Sequence, residues 1–130
     1  MSWFVLFAAK AMMPTSETLP GVSEMGIRTF VKTFLSETNW LTWLGVMGAS
    51  ILFMISPLIT IGLPLPACLL TQKALDRHAT KAATHRIYLF RQMIFLVKMV
   101  AGFCWGAHPT IRARFAMSPY TGDPGTWRFQ

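Results

Sequence analysis

Between Glu37 and Lys73 the chain runs for thirty-five residues, Thr38–Gln72, without a single charged side chain. A helical crossing of a bilayer needs about twenty apolar residues, and two crossings with a turn need roughly forty or more. The run is therefore long enough to meet a membrane, while its topology stays open. Within it lies "SPLITIGLPLPA", Ser56–Ala67, which carries Pro57, Pro64 and Pro66. Each proline removes a backbone donor and disfavours helix in the residue before it. A membrane-spanning helix and a chain reversal make opposite demands on such a stretch.

Composition points the same way. Hydrophobic residues make up 53% of the 130 and charged residues 13%, about half the usual quarter. Twelve Lys and Arg against five acids leave a net charge of +7. Basic residues flanking a long apolar run read as anchors facing anionic lipid. No basic helix or aromatic-basic motif of a nucleic-acid module occurs, so no nucleic-acid partner is expected. The length suits one all-α domain, 1–130, with a membrane insertion at 38–72.

Trp3–Met13 is expected as a short amphipathic helix that Pro14 ends. It reads as retained in the mature protein, because Lys10 follows the apolar run and no small-residue cleavage site comes after it. Ser23 is the expected N-cap of a second helix, Glu24–Ser36, with Ile27, Phe30, Val31, Phe34 and Leu35 along one face. Trp40 and Trp43 open the uncharged run where amphipathic rings anchor at headgroup level. Gly45, Gly48 and Ala49 put small residues on one face, either for close helix approach or as simple space-filling.

Three topologies fit. One is a single crossing from Trp40 to about Leu63. Another is a monotopic hairpin, with a helix over Trp40–Ile55, a reversal at Pro57, Pro64 and Pro66, and a return to Lys73. The third is a pair of crossings that also uses Ile87–Ala107.

From Lys73 a single long amphipathic helix, about 73–107, is expected. Its first half is basic through Lys73, Arg77 and Lys81, and its second half is apolar apart from Arg91 and Lys98, seven residues apart on one face. A cation at mid-span costs roughly 2.5–3.5 kcal/mol on the insertion scale. That cost favours burial in protein or an interfacial position over a second span. The tail, 116–130, mixes Pro, Gly and aromatic residues without periodicity and is expected as an extended arm that orders on a partner.

Catalysis by this chain is not expected. Glu17, Glu24, Glu37, Asp76 and Asp123 are scattered, and no nucleophile-elbow, zinc-protease or dinucleotide motif occurs. His78 and His85 stand seven apart, a spacing unlike that of one metal's two ligands, and read as solvated or headgroup-facing. His108, before Pro109, reads as a helix-end cap. Cys68 and Cys104 read as two buried thiols, and the methionines as packing surface. No cofactor or metal is expected in this chain.

Two stretches together resemble a known family. "FAAKAMMPTSETLPGVSEMGIRTFVKTFL", through Pro14, Leu19, Pro20, Gly21, Glu24, Gly26, Ile27 and Phe30, resembles the start of the small helical subunits typified by gluconate 2-dehydrogenase subunit 3. "HRIYLFRQMIFLVKMVAGFCWGAHPTIRARF", through Arg91, Lys98, Trp105, Pro109 and Arg112, is similar to a segment of such subunits and of the N-terminal helical region of long-chain alcohol oxidases. His108 departs from the acid common there, and Met117 stands near the usual glycine.

The resemblance implies a non-catalytic accessory and membrane-anchoring subunit of a flavin-dependent alcohol or polyol dehydrogenase. FAD and the chemistry would belong to the large flavoprotein partner, and a quinone or cytochrome would accept the electrons. Arg91, Lys98, Trp105, Pro109 and Arg112 would dock that partner. The expected location is the bacterial inner membrane, with the basic flanks cytoplasmic. A different class, a small structural subunit of a respiratory or photosynthetic complex holding lipid or pigment, would call for a histidine inside the apolar run, and Thr38–Gln72 has none.

Overall fold

A computed structural model describes residues 2–119. Its α-helices are α1 (Ser2–Met12), α2 (Ile27–Glu37), α3 (Trp40–Ile55), α4 (Pro57–Ile61), α5 (Gln72–Ala83), α6 (Tyr88–Ala107) and α7 (Pro109–Arg114). Single 3₁₀ turns lie at Val22–Glu24 and Ala67–Leu69, and no strand occurs among the described residues.

At the centre α1, α3 and α6 each pack against the other two. Ala8, Ala9 and Ala11 of α1 are buried, and their small side chains let both long helices pack against it. The helix expected at this end therefore lies in the core, with Trp3 and Lys10 exposed. α3 and α6 run antiparallel. Val46 and Met47 share a core with Val100, Ala101 and Cys104, whereas Phe53 and Met54 share one with Phe90 and Ile94. Gly45 faces Leu96 and Gly48 faces Met93 across the seam, so the small residues of α3 do mark a close helix contact.

Between α1 and α2 the chain ties itself down. The Thr15 hydroxyl accepts the Gly21 N–H at 3.1 Å and donates to Glu24 Oε1 at 2.7 Å. A Cβ on Gly21 would stand 2.4 Å from Thr15 N, so only glycine fits that crossing. Trp105 Nε1 donates to Pro20 O at 2.9 Å, and the Cys104 thiol donates to Met25 O at 3.6 Å. Two expectations change here. Ser23 lies within the 3₁₀ turn, and α2 begins at Ile27 with Gly26 as its N-cap.

The helix expected over 73–107 is two helices. Thr80 and Thr84 hydroxyls donate to the Asp76 and Thr80 carbonyls, while His85 Nδ1 accepts the Ile87 N–H at 3.1 Å. At the break the Ile87 N–H goes to the His85 ring, while the Thr84 and His85 N–H groups still reach Thr80 O and Ala82 O. The break lets α5 fold onto α4 while α6 follows α3.

The two stretches that carry the family resemblance pack against each other through α1, α2, α6 and α7. A single crossing from Trp40 to Leu63 would separate them and is incompatible with this fold. α3, of 16 residues, spans about 24 Å, short of the roughly 30 Å hydrocarbon core. α6, of 20 residues, is long and apolar enough to cross, although about a third of its apolar stretch is buried in the fold. The arm expected over 116–130 is described only to Pro119. There the Met117 N–H returns to Arg112 O at 2.8 Å and Arg112 Nε donates to Ser118 O. The remainder of the arm lies outside the described residues.

Candidate functional site

Helix geometry places the feature with the most functional content. At about 100° per residue, Trp40, Leu41, Leu44, Ile51 and Ile55 fall within an arc of about 100° on α3. All five are exposed, Trp40 by 74% and Ile55 by 66%. Leu58 and Ile59 of α4 and Leu63 and Leu65 of the following loop are exposed as well. On α6, Leu89 and Phe103 are exposed beside Met93 and Leu96, the residues that meet α3. The outward sides of both helices therefore meet at one seam, on the side away from the core. The result is an apolar face with no charged side chain within it, bordered by Lys73 and Arg77 beside Leu63 and by Arg91 and Lys98 farther round α6. Isolated exposed leucines are ordinary on soluble proteins, but a contiguous patch of this kind marks a protein or membrane contact.

The expected anchoring residues fall in different places. Trp40 lies at the first turn of the face, capped by the Asn39 side chain, which accepts from Leu41 N at 2.7 Å. Trp43 is half-buried and packs on the core, so it serves packing more than anchoring. Pro57 is buried at the first position of α4, whereas Pro64 and Pro66 are exposed in the return loop. Gly62, with φ +74°, ends α4 in the left-handed region that glycine tolerates.

Pro57 leaves a debt in the backbone. In a continuous helix the N–H of residue 57 would serve Phe53 O, and proline has none. His78 of α5, expected in solvent, is fully buried beneath that turn and supplies the donor. Its Nε2 lies 2.9 Å from Phe53 O and its Nδ1 lies 2.5 Å from Thr60 Oγ1. A carbonyl only accepts, so Nε2 carries the proton, and a neutral ring then accepts the Thr60 hydroxyl at Nδ1. The Ser56 hydroxyl adds a longer bond of 3.3 Å to the same carbonyl. The Phe53 and His78 rings lie 4.5 Å apart. Both imidazole nitrogens are thereby engaged, and neither is free to ligate a pigment or haem iron.

Burial pushes the His78 pKa down, with its bond to the Phe53 carbonyl opposing. The unfolded value is about 6.5, so on acidification the unfolded chain takes up the proton first. The contribution of His78 to stability is intact above that pH and is lost as pH falls through the lowered folded value. The slope is limited to about 1.4 kcal/mol per pH unit. Urea unfolding in detergent should show a falling midpoint below about pH 6.5, with the His78→Gln variant lacking that part of the slope. Equal slopes in both proteins would assign the pH dependence elsewhere.

Of the expected docking residues, Arg91 and Lys98 are exposed on α6, and the Arg91 guanidinium lies 5.6 Å from the centre of the Tyr88 ring. Trp105 spends its donor on Pro20 inside the chain. Pro109 starts α7, with His108 as N-cap accepting from Thr110 N at 3.4 Å. Arg112 lines a shallow cleft with Phe30, Phe103 and Met117 whose floor is Gly102 and Gly106. The five do not converge on one site. Cys104 is buried, which pushes its thiol pKa up, whereas Cys68 is exposed in the return loop, contrary to the expected pair of buried thiols. No group of His, Cys, Asp and Glu side chains suited to a metal ion occurs among the described residues.

Comparison of the chain with protein-family models, with characterised proteins and with solved structures finds no match.

Proposed function

We propose that this protein is a non-catalytic accessory subunit that lies on a membrane through the α3–α4–α6 face and seats a partner on its other side. The observation that carries the reading is the contiguous, charge-free apolar face. An in-plane, monotopic seating fits best on energetic grounds. α4 packs on α5, whose Lys73, Asp76, Arg77 and Lys81 are exposed. An upright insertion led by the Pro57 turn would carry those four charges into hydrocarbon, at roughly 2.5–3.5 kcal/mol each on the insertion scale. Lying in the plane leaves them in water.

For the partner, the quoted resemblance supports an FAD-dependent alcohol or polyol dehydrogenase of the bacterial inner membrane, passing electrons to a quinone or cytochrome. The packing of the two resembling stretches into one unit is consistent with a shared helper domain. Purification from detergent-solubilised membranes tests both parts. A flavin-containing large subunit that copurifies supports the partner, and a solitary colourless chain sinks it. In a Cys68→Ser background, cysteines placed at Ser2 and Gln130 should label from the same side of intact spheroplasts. Labelling from opposite sides would refute the monotopic seating.

A further inference from the structure

We infer that the cleft between the end of α5 and the outer side of α6 binds the headgroup of an anionic phospholipid. The cleft has a volume of about 470 Å³, with Arg91, Gln92, Phe95, Lys98 and Met99 around it and the buried Ile94 at its base. That size falls within the usual range for ligand sites, about 300–1,000 Å³. Arg91 and Lys98 are two helical turns apart, about 10.5 Å along the axis, and point to one side. No acid lines the cleft. Asp76 belongs to the adjacent cleft that shares Ala83 and Lys98, and its carboxylate accepts from the Gln72 amide at 2.8 Å.

The chemistry fits a phosphate that carries an apolar tail. A guanidinium presents a planar fork of donors to phosphate oxygens, a lysine adds a point charge, and the Gln92 amide offers a further donor. The Tyr88 ring beneath Arg91 supports the charge without using its N–H groups. Phe95, Ile94 and Met99 give the glycerol and first acyl carbons an apolar wall. Position decides between a lipid and an acidic protein surface. Round α6 the order runs from Leu89 and Phe103 beside α3, through Tyr88 and Phe95, to Arg91 and Lys98 beside α5. Both cations therefore stand at the rim of the apolar face, where lipid headgroups lie when that face meets a bilayer.

This inference rests on the membrane seating proposed above, and the test separates the two. The full chain is floated with vesicles of phosphatidylcholine, with and without a minority of phosphatidylglycerol. Phosphatidylglycerol should strengthen wild-type binding. Arg91→Gln with Lys98→Gln should lower binding to these anionic vesicles about 25-fold, roughly fivefold per cation, and leave binding to pure phosphatidylcholine unchanged. Arg28→Gln with Lys32→Gln on α2 removes the same charge and should cost far less. Circular dichroism checks that each variant keeps its helices. Equal wild-type binding to both vesicles, or equal losses in the two double variants, overturns the site while leaving the seating intact. A lipid preference retained by the Arg91/Lys98 variant together with a lost protein partner assigns the cations to an acidic partner and also overturns it. No binding to either vesicle overturns seating and site together.

Discussion

Replacing His78 by alanine should lower the unfolding free energy by about 3 kcal/mol, measured by urea denaturation in detergent. Three losses combine. The buried ring leaves a cavity beside Phe53, and emptying a packed site of that size costs a few kcal/mol. The Phe53 carbonyl keeps only the longer Ser56 bond, and the Thr60 hydroxyl falls back on the Ser56 carbonyl at 3.1 Å. A poorly satisfied buried acceptor adds about 1 kcal/mol or more. The cause is specific enough for a double-mutant cycle. In a Pro57→Ala background residue 57 regains its N–H and can serve Phe53 O itself, so the His78→Ala cost should shrink by about 1 kcal/mol. Strict additivity of the two substitutions would mean that the histidine acts by packing alone.

This pairing also shows why part of the molecule was legible in advance and part was not. The bounds of α3 match the helix over Trp40–Ile55 of the hairpin reading, because the uncharged run opens at the tryptophans and proline stands just past its end. The end of α3 before Pro57 follows from the missing donor. His78 did not stand out, because a histidine among Lys73, Arg77 and Lys81 looks solvated. Yet Leu75, Ala79 and Ala82 are buried with it, and positions 75, 78, 79 and 82 form one helical stripe. That stripe, read beside a carbonyl orphaned by Pro57, was the available signal. What no local pattern holds is which distant side chain supplies the donor, because twenty-five residues separate His78 from Phe53.

The break at 84–87 was hidden for a different reason. Thr80, Thr84 and His85 are tolerated in helices, and nothing in their residue types alone announces that the His85 ring takes the Ile87 N–H just past the end of α5. Likewise the seven-residue spacing of Arg91 and Lys98 puts them on one face of α6, where they line one cleft. What lies beside that face depends on how α5 folds back, which the break controls. Gly21 and Glu24 bond Thr15 within the loop, and Pro20 O takes the Trp105 N–H from α6, so Trp105 has no free donor to offer another protein.

Charging the apolar face gives the most direct test of what it is for. Ile51→Lys with Ile55→Lys places two ammonium groups on the exposed stripe of α3 without touching the core, since both side chains already point outward. At the centre of a spanning helix each lysine would cost roughly 2.5–3.5 kcal/mol. For a helix lying in the plane, where the side chain can reach towards the headgroups, about half of that is expected. Two such losses lower the partition onto neutral vesicles by about 100-fold, equivalent to about 2.7 kcal/mol. Neutral lipid is the right surface for the measurement, because anionic lipid would return about 1 kcal/mol per added lysine and mask the effect. The matched control, Thr29→Lys with Thr33→Lys, adds the same charge to exposed positions of α2 and should leave binding to neutral vesicles within about twofold. Unchanged binding in the Ile51/Ile55 variant would move the membrane contact away from α3. Loss of binding with a helix content equal to wild type ties it to the stripe that begins at Trp40 and ends in the loop after Pro57.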